Sequence, residues 1–341
     1  MLPKHSMIDF RSDTLTAPTD GMRAAMAEAE VGDDVYGEDP TVNDLEAFTA
    51  DLLGMEAGMF AASGTQANLC GIMAHCQRGD EYLVGQNAHT YKFEAGGAAV
   101  LGSIQPQPIE MNADGTMDLA ALDGYVKRQP SMNHFAHSTL LCLENTHNGR
   151  VLPEDYVSKA QATVRAHGLR VHLDGARLWN AAVATGRRPA EVAAGFDSVS
   201  VCLSKGLGAP VGSVLVGPVD LIDGARRWRK MLGGGMRQAG VIAAAGRYAI
   251  EHHVERLSDD HANASRLAAG LSAIPGIRVD GPHTNMVFIE LESADPQELE
   301  KELATRGIRV RPGAVTRLIC HLDISESDIE KAIRAFEAAL G

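Results

Sequence analysis

Between about residue 55 and residue 217, short apolar runs alternate with segments of helical periodicity. No other feature of the chain narrows its fold as far. The runs 57–61, 81–85, 98–101, 139–143, 169–173, 198–203 and 213–216 read as strands. Patterns such as 66–75 and 154–167 read as helices between them, and Gly168 sits where a helix ends, just before the run LRVHL. Alternating strand and helix predicts an α/β fold with a mostly parallel seven-stranded sheet covered by helices. Ligands of such sheets bind beyond the carboxyl ends of the strands, so the polar residues directly after each run are the candidates for function.

After Gly233-Gly234-Gly235 the texture changes. Residues 237–273 are Ala-rich and read as a connecting pair of helices. Apolar runs at 285–291 and 308–311, a helix at 296–306, a strand at 317–321 and a last helix at 325–340 predict a smaller C-terminal α+β domain. The expected division is 1–245 and 246–341, with residues 1–6 as an extension. A net charge of −13 over 341 residues argues against nucleic acid and against an anionic membrane surface as partners. No run reaches the roughly 18–20 apolar residues of a membrane span. Five scattered cysteines without CxxC spacing predict reduced thiols, a cytoplasmic location and no metal site.

The strand-end residues carry the chemistry. Ser63-Gly64-Thr65 opens a helix, where free N–H groups bind an anion, or Ser63 serves as a plain cap. His89 follows the second run, as a stacking ring, a base or a satisfied structural residue. The loop 143–149 is dense in side-chain donors and acceptors, which serve either a ligand or a network of Asx-type turns. Asp174 ends a buried run and needs a cationic partner, which is either Arg177 or a protonated ring nitrogen. Ser204-Lys205 ends the run 198–203, among glycines at 206, 208 and 212. A desolvated lysine loses its proton readily, and the neutral amine attacks a carbonyl to form a Schiff base. The basic run 226–230, followed by three glycines and Arg237, is either a solvated helix face or an anion site. An anion cradle, a flat-ring partner, a carboxylate and a Schiff-base lysine, each just after a strand, form the set that pyridoxal phosphate (PLP) requires.

On the stretches MIDFRSDT, VGDDVYGEDPTVN, SGTQAN, NAHTYKFEAGGAAVLGSIQPQP, LENTHNGRVLP, LDGARLWNA, SKGLGAPVGSVLVG and RKMLGGGMRQAG, the sequence resembles the low-specificity L-threonine aldolases. These are PLP enzymes of fold type I in the aspartate aminotransferase superfamily. The resemblance implies Lys205 as the PLP lysine, Asp174 as the ring-nitrogen partner and His89 as the stacked imidazole. It implies Gly64, Thr65 and Ser204 at the phosphate, and Ser12, Arg177 and Arg317 at the substrate carboxylate. His134 is implied as a second histidine near the substrate hydroxyl. Tyr36, Phe93, Lys230 and Arg237 are implied around the site, some from a neighbouring subunit of a homotetramer built as a dimer of dimers. The implied reaction cleaves β-hydroxy-α-amino acids, such as L-threonine and L-allo-threonine, to glycine and an aldehyde. The proton-accepting base is left among His89, His134 and a water. Other fold type I enzymes, or a PLP-binding protein without catalysis, are the rival readings.

Overall fold

The computed structural model describes residues 7–127 and 133–340. Its strands in chain order are β1 (Ile8–Asp9), β2 (Ala57–Ala61), β3 (Asp80–Gly85), β4 (Gln105–Ile109), β5 (His137–Glu144), β6 (Arg170–Gly175), β7 (Ser198–Cys202), β8 (Ser213–Gly217), β9 (Ile277–His283), β10 (Met286–Leu291), β11 (Ile308–Arg309) and β12 (Thr316–Ile319). Seven of them form the central sheet in the order β2-β8-β7-β6-β5-β3-β4. Only β8 runs against its neighbours β2 and β7; the remaining pairs are parallel.

Parallel strands covered on both faces must be apolar throughout. Val171, Leu173, Val199, Val201, Leu141 and Leu83 are all fully buried. The helices Gly64–His75, Glu154–Arg165 and Leu178–Thr185 fill the crossovers, and Gly168 takes the left-handed conformation expected of it (φ 80°).

One strand expectation is corrected. Residues 98–101 lie in the helix Gly97–Gly102, because a short apolar run fits either element when its length does not arbitrate. The sheet is instead completed by β4, whose Pro106 and Pro108 conceal it in the sequence. Among the described residues β4 is an edge strand that pairs with β3 alone, and an edge tolerates the absence of the N–H that proline lacks.

A second core lies around the antiparallel sheet β12-β10-β9, which the helices Leu257–Ser272, Pro296–Thr305 and Glu326–Leu340 cover. β9 was not foreseen; its buried and exposed positions alternate along an edge strand carrying charges and a proline. The expected division at 245/246 falls inside the helix Gly240–His253. The first core extends to Leu257 and the second begins at Ala264. The N-terminal arm crosses to this second core: β1 pairs in parallel with β11, and Phe10 is buried beside Leu318 and Ile308.

Candidate active site

The parallel register places Glu144 beside Asp174, and Asp174 beside Ser200, at the carboxyl ends of β5, β6 and β7. Lys205 lies just beyond β7 and His89 just beyond β3, so both reach the same edge of the sheet. The His89 N–H donates to Glu144 Oε2 (2.7 Å), and His89 Nδ1 meets Glu94 Oε1 (2.9 Å). Ligating atoms of His89, Glu94 and Asp174 lie within 4.8 Å of one another, and each of these side chains already takes part in hydrogen bonds. Asp174 is 2% exposed; its Oδ2 accepts from Asn68 Nδ2 and its Oδ1 from the Ala176 N–H, each at 3.0 Å.

Burial and the charge of Glu144 raise the Asp174 carboxyl above its ordinary range, while Lys205 and His89 act to lower it. Burial likewise raises Glu94. The Glu94 hydrogen bond raises His89 against the opposing effect of burial. Burial disfavours charge on Glu144, but donors from His147 and His89 outweigh it and hold the group low.

The Lys205 loop is built for a close turn. Gly208 and Gly212 take φ of 81° and 114°, a region side chains avoid. Thr16 Oγ1 donates to the Lys205 carbonyl (3.0 Å), tying the loop to the N-terminal arm. Facing it, Ser63 caps the helix Gly64–His75 by accepting from the Gln66 N–H (3.1 Å). The N–H groups of Gly64 and Thr65 have no acceptor inside the helix and are available to an anion. A side chain at Gly64 would come within 2.8 Å of Cys202 Sγ, so the cradle admits only glycine there without a shift.

Arg177 is gripped by Asp13, Nε to Oδ2 at 2.8 Å and Nη2 to Oδ1 at 2.7 Å. Asp13 is fully buried, and although burial opposes its charge, Arg177 holds its carboxyl far below the usual range. Arg317, on β12, is half-buried and has no hydrogen-bond or ion-pair partner among the described residues. Burial and the nearby Arg177 charge lower its pKa. Two neighbouring guanidinium groups, of which only Arg177 is paired with a carboxylate, form a site that favours a further anion. Ser12 is next to Asp13, with its hydroxyl accepting from the Thr14 hydroxyl (2.8 Å).

One chain therefore brings together Lys205, Ser204, Asp174, His89, Arg177, Arg317, Ser12, Gly64 and Thr65. Phe93 flanks the group, its ring 5.8 Å from that of His89 and 62% exposed. Four residues stand elsewhere within the chain. His134 is exposed, before the start of β5, whereas Glu144 at the other end of that strand is in the site. Tyr36 and Lys230 line a separate cavity of ≈550 Å³ with Arg227 and Asn43. Arg237 pairs with Asp33 at 2.9 Å. Within the basic run, Arg226 pairs with Glu46 and the buried Arg229 with Asp34 (2.9 Å), whereas Arg227 is exposed. The glycine loop passes close to its own chain, where a side chain at Gly234 would strike Gln66 and one at Gly235 would strike Lys230.

The sequence reading missed Glu94, Asn68 and Asp13 as functional residues. Glu94 lies five residues past His89 in a loop. Asn68 sits one helical turn beyond Gly64, on the same face. Asp13 follows Ser12 in a stretch that reads as an arm.

The β-eliminating lyase family profile matches residues 9–294. The chain is 50% identical to the low specificity L-threonine aldolase of Escherichia coli strain K12 over 334 residues, covering 98% of this chain and 99% of the relative. It is 42% identical to low-specificity L-threonine aldolase 1 of Arabidopsis thaliana, covering 98% and 96%. Among solved structures it resembles Leishmania major threonine aldolase with a TM-score of 0.84 at 20% identity, covering 98% of this chain and all of that one. A serine palmitoyltransferase solved with PLP has a TM-score of 0.77 at 20% identity, with 98% and 87% covered.

Proposed function

The chain belongs to the β-eliminating lyase family, among the low-specificity L-threonine aldolases, and from that premise we propose how its own residues carry the reaction. It is a PLP-dependent carbon–carbon lyase that cleaves L-threonine and L-allo-threonine to glycine and acetaldehyde. The donor set fits the cofactor. A buried carboxylate lies beside a half-exposed imidazole, a lysine is held nearby on a glycine turn, and a helix start free of side-chain bulk offers N–H groups. Asp174 would hold the ring nitrogen, His89 the ring face, Lys205 the carbonyl carbon, and Gly64, Thr65 and Ser204 the phosphate. Bound there, PLP supplies the sink for the electrons left on Cα when the Cα–Cβ bond breaks.

Arg177, with one edge of its guanidinium fixed on Asp13, presents its remaining N–H donors with Arg317 to the substrate carboxylate. That grip orients the scissile bond. Glu94 engages His89 Nδ1, which leaves Nε2 as the nitrogen that takes the β-hydroxyl proton, so Glu94 acts as the orienting partner of the base. The observation that carries this assignment is the convergence of His89, Glu94, Asp174 and Lys205 at one sheet edge.

The reading extends to assembly. Tyr36, Lys230 and Arg237 lie outside the Lys205 cluster of their own chain and would complete the site of a second copy in a homo-oligomer. Exposed Tyr36 (74%) and Met231 (57%) beside that cavity suit such an interface. His134 falls in the same class. Five buried free cysteines suit the reducing cytoplasm, and among the described residues no helix is long and apolar enough to cross a membrane. The test is product analysis on the four threonine stereoisomers. Glycine and acetaldehyde in equal amounts from the L-isomers are expected. Ammonia and a keto acid instead would contradict the aldolase reading and indicate an eliminating lyase.

A further inference from the structure

Beneath Asp174 runs a buried polar chain that neither cofactor nor substrate binding explains. Asn68, on the helix Gly64–His75, donates from Nδ2 to Asp174 Oδ2 (3.0 Å) and to Glu94 Oε1 (2.8 Å). Its Oδ1 accepts from the Ser200 hydroxyl and from His172 Nε2 (3.1 Å). His172 Nδ1 meets Ser198 Oγ at 2.8 Å, and Ser198 Oγ meets His75 Nε2 at 2.7 Å. His172 is fully buried, and Asn68, Ser198, Ser200 and His75 are each at most 5% exposed. The helix makes room for the chain: a side chain at Gly71 would meet His172 Cε1 at 3.2 Å.

The direction of every proton in this chain follows from its two ends. The carboxylates accept, so Asn68 Nδ2 faces them and both its hydrogens are used. Oδ1 then needs donors, which makes Nε2 the protonated nitrogen of His172. Nδ1 of His172 is left to accept from the Ser198 hydroxyl, whose oxygen accepts in turn from His75 Nε2. His75 Nδ1 is then a bare lone pair, which agrees with its being buried without a partner. Burial lowers both histidines to about 3, so they stay neutral and keep these tautomers at working pH.

We propose that Asn68 is a positioning residue, locked by the His172–Ser198–His75 chain so that its single amide holds Asp174 and Glu94 apart and aims Asp174 at the cofactor's ring nitrogen. This deepens the PLP reading and rests on it. The amide cannot flip, because a flipped carbonyl would face two carboxylates and a flipped NH2 would face the His172 Nε2–H. It links the partner of the ring nitrogen to the partner of His89, so one side chain sets the geometry on both sides of the reaction.

The test uses the holoenzyme with ¹⁵N-labelled PLP. Asn68→Leu keeps the size and removes every donor. The ring-nitrogen resonance is expected to move toward the unprotonated value, and kcat to fall about tenfold or more, the effect of one hydrogen bond to a charged group, with KM for threonine little changed. A structural role alone would lower thermal stability and leave the resonance in place. His172→Gln, whose amide can donate from nearly the position of Nε2, is expected to retain the wild-type resonance, and His172→Leu to shift it as Asn68→Leu does. A folded Asn68→Leu protein with a wild-type resonance overturns the proposal. Should that variant not fold, identical resonances for the two His172 variants overturn it instead. Wild-type protein that takes up PLP and does not cleave threonine overturns the aldolase reading alone. Protein that takes up no PLP overturns both.

Discussion

Asp13 and Arg177 form a two-point pair, with Nε–Oδ2 at 2.8 Å and Nη2–Oδ1 at 2.7 Å, between the N-terminal arm and the end of β6. The arm is pinned at its other end by β1 on β11 and by the Ile319 N–H donating to the Phe10 carbonyl (2.9 Å). The smaller core, which carries Arg317, is thereby tied to the sheet that carries Arg177. A substrate carboxylate between the two arginines draws on both units at once.

Asp13→Asn leaves the Arg177 charge buried without its counter-charge. A loss of about 3–5 kcal/mol is expected from breaking such a pair, together with a raised KM for threonine. The folded carboxyl is depressed, so its contribution is complete above the unfolded value of about 3.9 and is lost as pH falls below it. Denaturant midpoints of wild type and variant are expected to keep a constant gap from pH 8 to pH 5 and to converge below pH 4. A gap that already closes above pH 5 would contradict the pairing.

Asp174→Asn is expected to bind PLP and to lose about a hundredfold or more in kcat, the scale of removing one preorganised electrostatic group from a site. Steady-state kinetics on reconstituted protein measures this. Turnover near the wild-type level would make Asp174 a structural anchor for Asn68 and the Ala176 N–H.

His75 and His172, each lowered to about 3 by burial, contribute to the acid limb of stability. Unfolded, each titrates near about 6.5. Below that pH the unfolded chain takes up protons that the folded chain refuses. Stability then falls by about 1.4 kcal/mol per pH unit per histidine until the folded value is reached, and neither group acts above pH 7. His75→Gln is expected to flatten the fall of unfolding free energy between pH 6 and pH 4 by about one proton's worth. Parallel curves for the two proteins would mean that His75 is not buried as a neutral ring.

A site shared between subunits predicts complementation. Lys205→Ala and a variant inactivated at Arg237 are mixed under conditions that exchange subunits. In each hybrid dimer one site combines an intact Lys205 with an intact partner loop, so some activity returns. Exchange confirmed by mass with no activity regained would assign the loop to its own chain, as its contact with Gln66 permits.

The parts of the fold that were legible were those where one rule dominated. The run 198–203 is bounded, uncharged and carries two valines, the run 169–173 follows a helix-ending glycine, and both became central strands. Where two rules competed, the sequence misled: the run at 98–101 satisfies strand and helix patterns equally, and β4 is hidden by prolines that only its edge position excuses. The strand-end rule found Lys205, Asp174 and His89 because chain position alone places them at the sheet edge. It could not find Asn68, Glu94 or Asp13, whose roles arise from contacts 106, 5 and 164 residues away in sequence. Nor could it tell that Arg226 and Arg229 are consumed by Glu46 and Asp34, since a basic run reads the same whether or not its counter-charges lie across the fold.

The account rests most directly on Lys205 as the residue that holds the cofactor, because the site is built around the end of β7. Purified protein loaded with PLP is reduced with borohydride, digested and mapped by mass. The cofactor is expected on the peptide containing Lys205, and Lys205→Ala is expected to carry no covalent label. Stable labelling of another lysine, with Lys205→Ala labelled as fully as wild type, would contradict it.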